Sequence, residues 1–139
     1  MSAALSTTSD VYPCLYYDDA PAALAWLSRG FGFTVRMLVP GPLGKIAHSE
    51  LELGNAVVML SSSKPERGSR SPRELAGVHS ALCLFVEDPD AHCARARAHG
   101  AKILQEPKDE DYGARGYLTE DVEGHQWYFG NYRPGSHWG

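Results

Sequence analysis

A chain of 139 residues, 43% hydrophobic and 22% charged, has the make-up of one globular domain that buries roughly two-thirds of its unfolded surface. Its net charge of −4 argues against a nucleic-acid partner, because phosphate binding needs clustered Lys and Arg. No apolar run reaches membrane-spanning length and Met1–Asp10 lacks a signal-peptide pattern, while three widely spaced cysteines point to reduced thiols in a cytoplasm.

In chain order, Val11–Tyr17 reads as a strand. Asp18 and Asp19 supply the cap of a helix that tolerates Pro21 in its first turn. Ala23, Leu27 and Phe31 recur at helical spacing as one buried face, and Gly30 and Gly32 end the helix. Thr34–Val39 is a second strand, closed by the turn-rich Pro40-Gly-Pro-Leu-Gly44. Lys45–Leu53 and Ala56–Ser61 form a hairpin around Gly54-Asn55. Ser61–Gly77 has the Ser/Pro/Arg composition of a long solvated linker, and its cations Lys64, Arg67, Arg70 and Arg73 are read as a solvated stretch.

The plan then starts again. Val78–Val86 is a strand, and Asp88-Pro89 is a cap followed by Pro at the first helical position. Ala91, Ala94 and Ala98 offer a thin apolar helix face that Gly100 stops. Ala101–Gln105 is a short strand and Glu106–Asp111 a charged loop. Gly116–Glu120 and His125–Tyr132 close the chain as a hairpin about Asp121-Val-Glu-Gly124. Alternation along its second arm sets Trp127 and Phe129 on one face, Gln126 and Tyr128 on the other.

A shift of 69 residues lays Cys14-Leu-Tyr-Tyr-Asp-Asp19 over Cys83-Leu-Phe-Val-Glu-Asp88, and Ala22/Ala91 and Ala25/Ala94 continue the register. The chain therefore reads as α+β, with two tandem βαβββ modules at about 11–61 and 78–133 joined by a linker at 62–77, all within one domain spanning 1–139. Such a linker permits the modules to pair within a chain or to swap between two.

With Tyr17-Asp-Asp19, Trp26 through Gly32-Phe33, Val86-Glu-Asp-Pro-Asp-Ala91, Gly100-Ala101 and Asp121-Val-Glu-Gly-His-Gln-Trp127 in this order, the chain resembles the vicinal oxygen chelate superfamily. That superfamily contains glyoxalase I, extradiol dioxygenases, fosfomycin-resistance enzymes and the bleomycin-resistance proteins. The resemblance covers about Val11 to Tyr132. It implies a curved, barrel-like mixed sheet with helices on the convex side and a ligand cavity on the concave side. Residue parity then puts Leu15, Tyr17, Val58, Leu60, Leu82, Leu84, Trp127 and Phe129 under the helices. Tyr12, Cys14, Tyr16, Val57, Met59, Ser61, His79, Ala81, Cys83, Phe85, Gln126 and Tyr128 are expected on the cavity side.

The superfamily's metalloenzymes ligate a divalent ion from the first and last strands of each module. The corresponding positions here are Tyr12, Met59, Ala81 and Tyr128, a poor donor set for Mg²⁺, Mn²⁺, Fe²⁺ or Zn²⁺. A displaced site would draw on His79, or on His48, Glu50 and Glu52, which alternate along one strand face. His92 and His99 are read on the polar side of the second helix, His125 in an exposed turn, and His137 with Trp138 in a frayed tail. Cys14 and Cys83 read as small buried hydrophobes rather than nucleophiles.

The resemblance implies a metal-free small-molecule-binding protein of bleomycin-resistance type. It would be a cytoplasmic homodimer sequestering an aromatic or cationic compound, such as an antibiotic, with no cofactor and no membrane partner. Tyr12, Tyr16, Phe85 and Tyr128 would stack on the ligand, Tyr112 and Tyr117 would stand near a rim loop, and Glu50 and Glu52 would supply charge, with Cys14, Met59, His79 and Cys83 completing the wall. The alternative is a metal-dependent lyase, dioxygenase or thiol transferase with displaced ligands. A third possibility is a dimeric scaffold whose pocket is filled by its own side chains.

Overall fold

The computed structural model describes residues 10–134, so His137 and Trp138 lie outside the described residues. The first module contains β1 (Cys14–Tyr17), α1 (Ala20–Phe31), β2 (Thr34–Pro40), β3 (Ile46–Leu53) and β4 (Ala56–Ser62). The second contains β5 (Ala81–Phe85), α2 (Pro89–Ala98), β6 (Lys102–Asp109), β7 (Arg115–Glu120) and β8 (Gln126–Gly130). Each forms a four-stranded mixed sheet, ordered β1-β4-β3-β2 and β5-β8-β7-β6. The outer pairs β1/β4 and β5/β8 are parallel, and the remaining neighbours antiparallel. The fold is α+β with tandem βαβββ modules, as expected, but the sheets remain two and do not close into a barrel. The repeat is carried into pairing: Cys14 lies opposite Met59 and Cys83 opposite Tyr128, so both partners obey the same shift.

Local chemistry sets the helix starts. The Asp19 carboxylate accepts from Ala22 N at 3.2 Å and Asp88 from Ala91 N at 3.0 Å, each with Pro in the first turn. Gly32, at φ 85°, closes α1 in the left-handed conformation that other residues resist. α1 buries Ala20, Ala23, Leu24, Leu27 and Phe31. Phe31 reaches across the modules to meet Trp127 and Phe129 edge-on, at ring-centroid distances of 5.5 and 4.8 Å. The predicted core residues are buried, with Leu82 only partly so.

Four expectations are corrected. Ala91, Ala94 and Ala98 are exposed, and α2 buries Pro89, Cys93 and Ala96 instead. Alanine is indifferent to which way it faces, so the larger neighbours decide, and one of them is a histidine that finds partners inside. Glu106–Asp111 is not simply a charged loop. Up to Asp109 it belongs to β6, an edge strand whose pairing is interrupted by register shifts and which accommodates Pro107 and its charges. β1 and β5 are shorter than read. Finally, Ser61–Gly77 is not a solvated linker: Ser61 and Ser62 belong to β4, and 3₁₀ turns form at Pro65–Arg67 and Pro72–Glu74.

That segment is ordered because it is pinned. Ser71 is fully buried and its hydroxyl donates to Glu123 Oε1 at 2.5 Å. Glu123 belongs to the β7–β8 turn of the second module, yet it also accepts from Asp18 N and Asp19 N, both at 2.8 Å, at the start of α1. Arg73 adds a cation 3.6 Å away. A buried carboxylate is tolerated only when its lone pairs are met, and the positive end of a helix is well suited to meet them. Beside it, Asp121 Oδ1 accepts from the backbone of Glu123, Gly124 and His125, while Oδ2 accepts from the Tyr17 hydroxyl at 2.5 Å and Trp127 Nε1 at 3.0 Å. Burial, followed by the charge of Asp121, holds the Tyr17 phenol well above its ordinary pKa, so it stays a donor. The far end of α1 is tied as firmly. Arg95 Nε donates to Arg29 O at 2.9 Å, His92 Nε2 to Phe31 O at 2.8 Å, and Trp26 Nε1 to His99 O at 2.8 Å.

Replacing Glu123 with Ala strands two backbone donors and the Ser71 hydroxyl. We expect a stability loss of about 3–5 kcal/mol, because each buried donor left without a partner costs about 1–3 kcal/mol, and a smaller loss for Glu123→Gln. Urea unfolding with an unchanged slope measures it. A loss under about 1 kcal/mol, the scale of an exposed ion pair, would refute the role given to this carboxylate.

Candidate functional site

The clasp leaves β1 and β5 near one another, and three cavities lie along that seam with walls from both modules. The first, about 530 Å³, lies between Cys14–Tyr16 of β1, residues 78–80 before β5, His125, and the inter-module segment at Gly68–Arg70, Pro72 and Leu75. The second, about 750 Å³, joins Cys83–Val86 to the β3–β4 turn at Leu53–Ala56 and to Tyr132 and Arg133. A smaller one, about 190 Å³, sets Val11–Pro13 against Leu82–Leu84 and Asn55–Val58. The first two are repeat-related: each joins the first strand of one module to the last turn of the other. Both volumes suit a small-molecule site.

Of the residues singled out from sequence, Cys14, Tyr16 and His79 line the first cavity, Cys83 and Phe85 the second, and Tyr12 and Cys83 the third. Tyr16 and Phe85 occupy equivalent positions, and each ring carries a cation from the segment after its module's last strand. Lys64 Nζ is 5.2 Å from the Tyr16 centroid and the Arg133 guanidinium 3.7 Å from that of Phe85. Sequence reasoning missed both cations. The signal was the repeat itself, since both follow the last strand of their module.

The remaining residues are not brought to these cavities. Met59 faces the same side as Cys14 and Glu50, which sit in register with it. Glu50 accepts from His48 Nε2 at 3.0 Å and lies 3.8 Å from Arg36, which is also 3.9 Å from Glu52. These two carboxylates are thus matched within their own sheet. Tyr128 donates to Glu110 at 2.8 Å and lies 3.5 Å from the Tyr112 hydroxyl, while the Tyr112 ring meets Tyr132 edge-on. Burial pushes the Tyr128 phenol above its ordinary pKa, and the ring lies where side chains at Gly116 and Gly130 would otherwise stand. The face of the second sheet is therefore filled by its own tyrosine.

Other placements are overturned. Tyr117 is not at a rim: it is fully buried, opposite Phe129 in the hairpin, with its hydroxyl 2.6 Å from His92 Nδ1. Counting back across the Asp121–Gly124 turn would have put Tyr117 on the face of Phe129. His92 is not on a polar face, since its ring lies tilted against Phe129 with centroids 4.1 Å apart. His125 is half-buried, with Nε2 3.0 Å from Tyr16 O. Cys14 and Cys83 are exposed rather than buried, and desolvation by neighbouring groups raises the Cys83 thiol, which leaves it a weak nucleophile.

The sequence matches the family model described as Glyoxalase/Bleomycin resistance protein/Dioxygenase superfamily over residues 10–129. The chain belongs to this superfamily. An uncharacterised protein of Mycobacterium bovis is 32% identical over 130 residues, spanning 91% of this chain and 86% of that protein. Among solved structures, TioX from Micromonospora sp. ML1 aligns with a TM-score of 0.69 and 35% identity over 88% of this chain and 94% of its own. A glyoxalase-related enzyme from Fulvimarina pelagi shares the fold, with a TM-score of 0.67 at 16% identity over 88% and 87% of the two chains.

At the positions from which metalloenzymes of the superfamily ligate, this member carries a phenol, a thioether, a methyl and a second phenol already bonded to Glu110. Those side chains do not fit a hard or borderline divalent ion. The displaced set does not converge either: among the described residues no three His, Cys, Asp or Glu side chains come together, and Glu50 is engaged by His48 and Arg36.

His92 gives a pH signature. Desolvation is the main cause that lowers its pKa below the ordinary 6.5. The unfolded chain therefore takes up the proton first, so stability is full above about pH 6.5 and falls as the pH drops below it. We expect the urea midpoint of the wild type to decline between pH 7.5 and 5, and that of His92→Gln to decline less. Parallel profiles for the two proteins would refute this assignment.

Proposed function

We propose that this superfamily member is a metal-free binding protein that holds a planar aromatic compound at the seam between its modules. The observation that carries the reading is the equivalent placement of Tyr16 and Phe85, each lining a cavity walled by both modules. The donor set at the superfamily's metal positions supports binding without a divalent ion. Aromatic stacking contributes about 0.5–1.5 kcal/mol per pair beyond the area buried, enough with apolar walls for micromolar affinity and no chemistry. Sequestration of such a compound, an antibiotic among the possibilities, is the function this supports. Assembly as a homodimer belongs to the proposal, supported by the exposed Val35, Met37, Leu38 and Val39 along edge strand β2. Among the described residues no helix is long and apolar enough to cross a membrane. The three free thiols are in keeping with a cytoplasmic setting.

Calorimetric titration with planar aromatic probes tests the reading. We expect micromolar binding that changes less than twofold after EDTA treatment, and a weakening of about 3- to 10-fold in Tyr16→Ala or Phe85→Ala. Binding lost with EDTA, or a stoichiometric metal after native purification, would overturn it. Sedimentation at micromolar concentration measures the dimer.

A further inference from the structure

The cations of the inter-module segment acquire a use once that segment is seen to be a cavity wall. We infer that the first cavity selects an aromatic carboxylate, a compound with one planar ring system and one negative charge. This rests on the binding function proposed above and adds the charge of the ligand.

The first cavity is lined by Arg70, His79 and His125 and by no Asp or Glu. The protein as a whole carries −4, so a cavity wall with one fixed positive charge, two imidazoles and no carboxylate runs against the overall balance. Ser69 and Ser80 add hydroxyl donors, while Tyr16 and Leu75 provide apolar surface for a ring. Lys64, over the Tyr16 ring, adds a second cation nearby. Two acids of the surrounding structure have partners of their own. Glu123 is buried with its donors, and Glu74 lies 3.6 Å from Arg70. The Arg70–Glu74 pair is exposed on both sides, so its attraction is weak and a ligand carboxylate can take the guanidinium. A planar guanidinium matches a carboxylate with two parallel hydrogen bonds, which favours an anion over a neutral or cationic analogue of the same ring. The second cavity is the internal comparison. It carries Arg133 together with Glu87, one charge of each sign, and so has less basis for selection.

The test uses three probes with one ring system and charges of −1, 0 and +1: 2-naphthoate, 2-naphthamide and 2-naphthylmethylammonium. Each is titrated by calorimetry at low salt into the full chain and into Arg70→Gln, His79→Gln and Arg133→Gln. The expected result is naphthoate binding at least 10-fold tighter than the amide, with Arg70→Gln erasing most of that preference. Amide affinity should change less than twofold in Arg70→Gln, and Arg133→Gln should leave the preference in place. Equal or tighter binding of the amide or the ammonium probe would overturn the charge selection while leaving aromatic binding intact. A preference lost in Arg133→Gln but kept in Arg70→Gln would overturn the choice of cavity. Binding of none of the three would overturn both this inference and the function it rests on.

Discussion

Two neighbouring buried carboxylates, Glu123 and Asp121, tie the start of α1 and the end of β1 to the second module. Glu123 leaves the turn of the second hairpin, reaches the first residues of α1, and is met there by two backbone N–H groups and by Ser71. Removing a charge from water is costly, and the penalty is offset only where several donors converge in fixed geometry. The turn, the helix start and the inter-module segment must therefore arrive together. That requirement makes a nominal linker into ordered structure. It also brings β1 close to β5, so that the seam between modules becomes a row of cavities.

The clasp also breaks the symmetry of the repeat. The β3–β4 turn of the first module carries Leu53, Gly54 and Asn55 where the second offers Glu123, Gly124 and His125, and it lines the second cavity rather than capping a helix. The consequence is chemical as well as mechanical. One end of the seam is roofed by a pinned segment bearing Arg70, whereas the other is bounded by Tyr132 and Arg133 beyond β8. Two modules of common plan thus present unlike walls to a ligand. In the second module Tyr128 fills the face of its own sheet.

Much of the fold was legible without coordinates because its causes are local. Asp-Pro and Asp-x-Pro helix starts, glycine at positive φ after α1, and strand alternation each act within a few residues. The 69-residue repeat extended those local readings to both modules, and it held down to the pairing of Cys14 with Met59 and Cys83 with Tyr128. Parity alone placed Leu15, Tyr17, Trp127 and Phe129 inside and Cys14, Tyr16 and Tyr128 away from that core.

Sequence by itself therefore determined the modules, their order, the sheet faces and the superfamily resemblance. Tertiary structure decided where the buried polar groups go. Tyr17 and Asp121 meet across 104 residues, Ser71 and Glu123 across 52, and His92 and Phe31 across 61. Hydrophobic periodicity carries no record of such pairs, because a polar side chain looks solvent-facing until a distant partner satisfies it. For that reason His92 and Tyr117 read as peripheral and the segment from Ser61 to Gly77 as solvated, when His92 and that segment are held by hydrogen bonds to the other module and Tyr117 by His92.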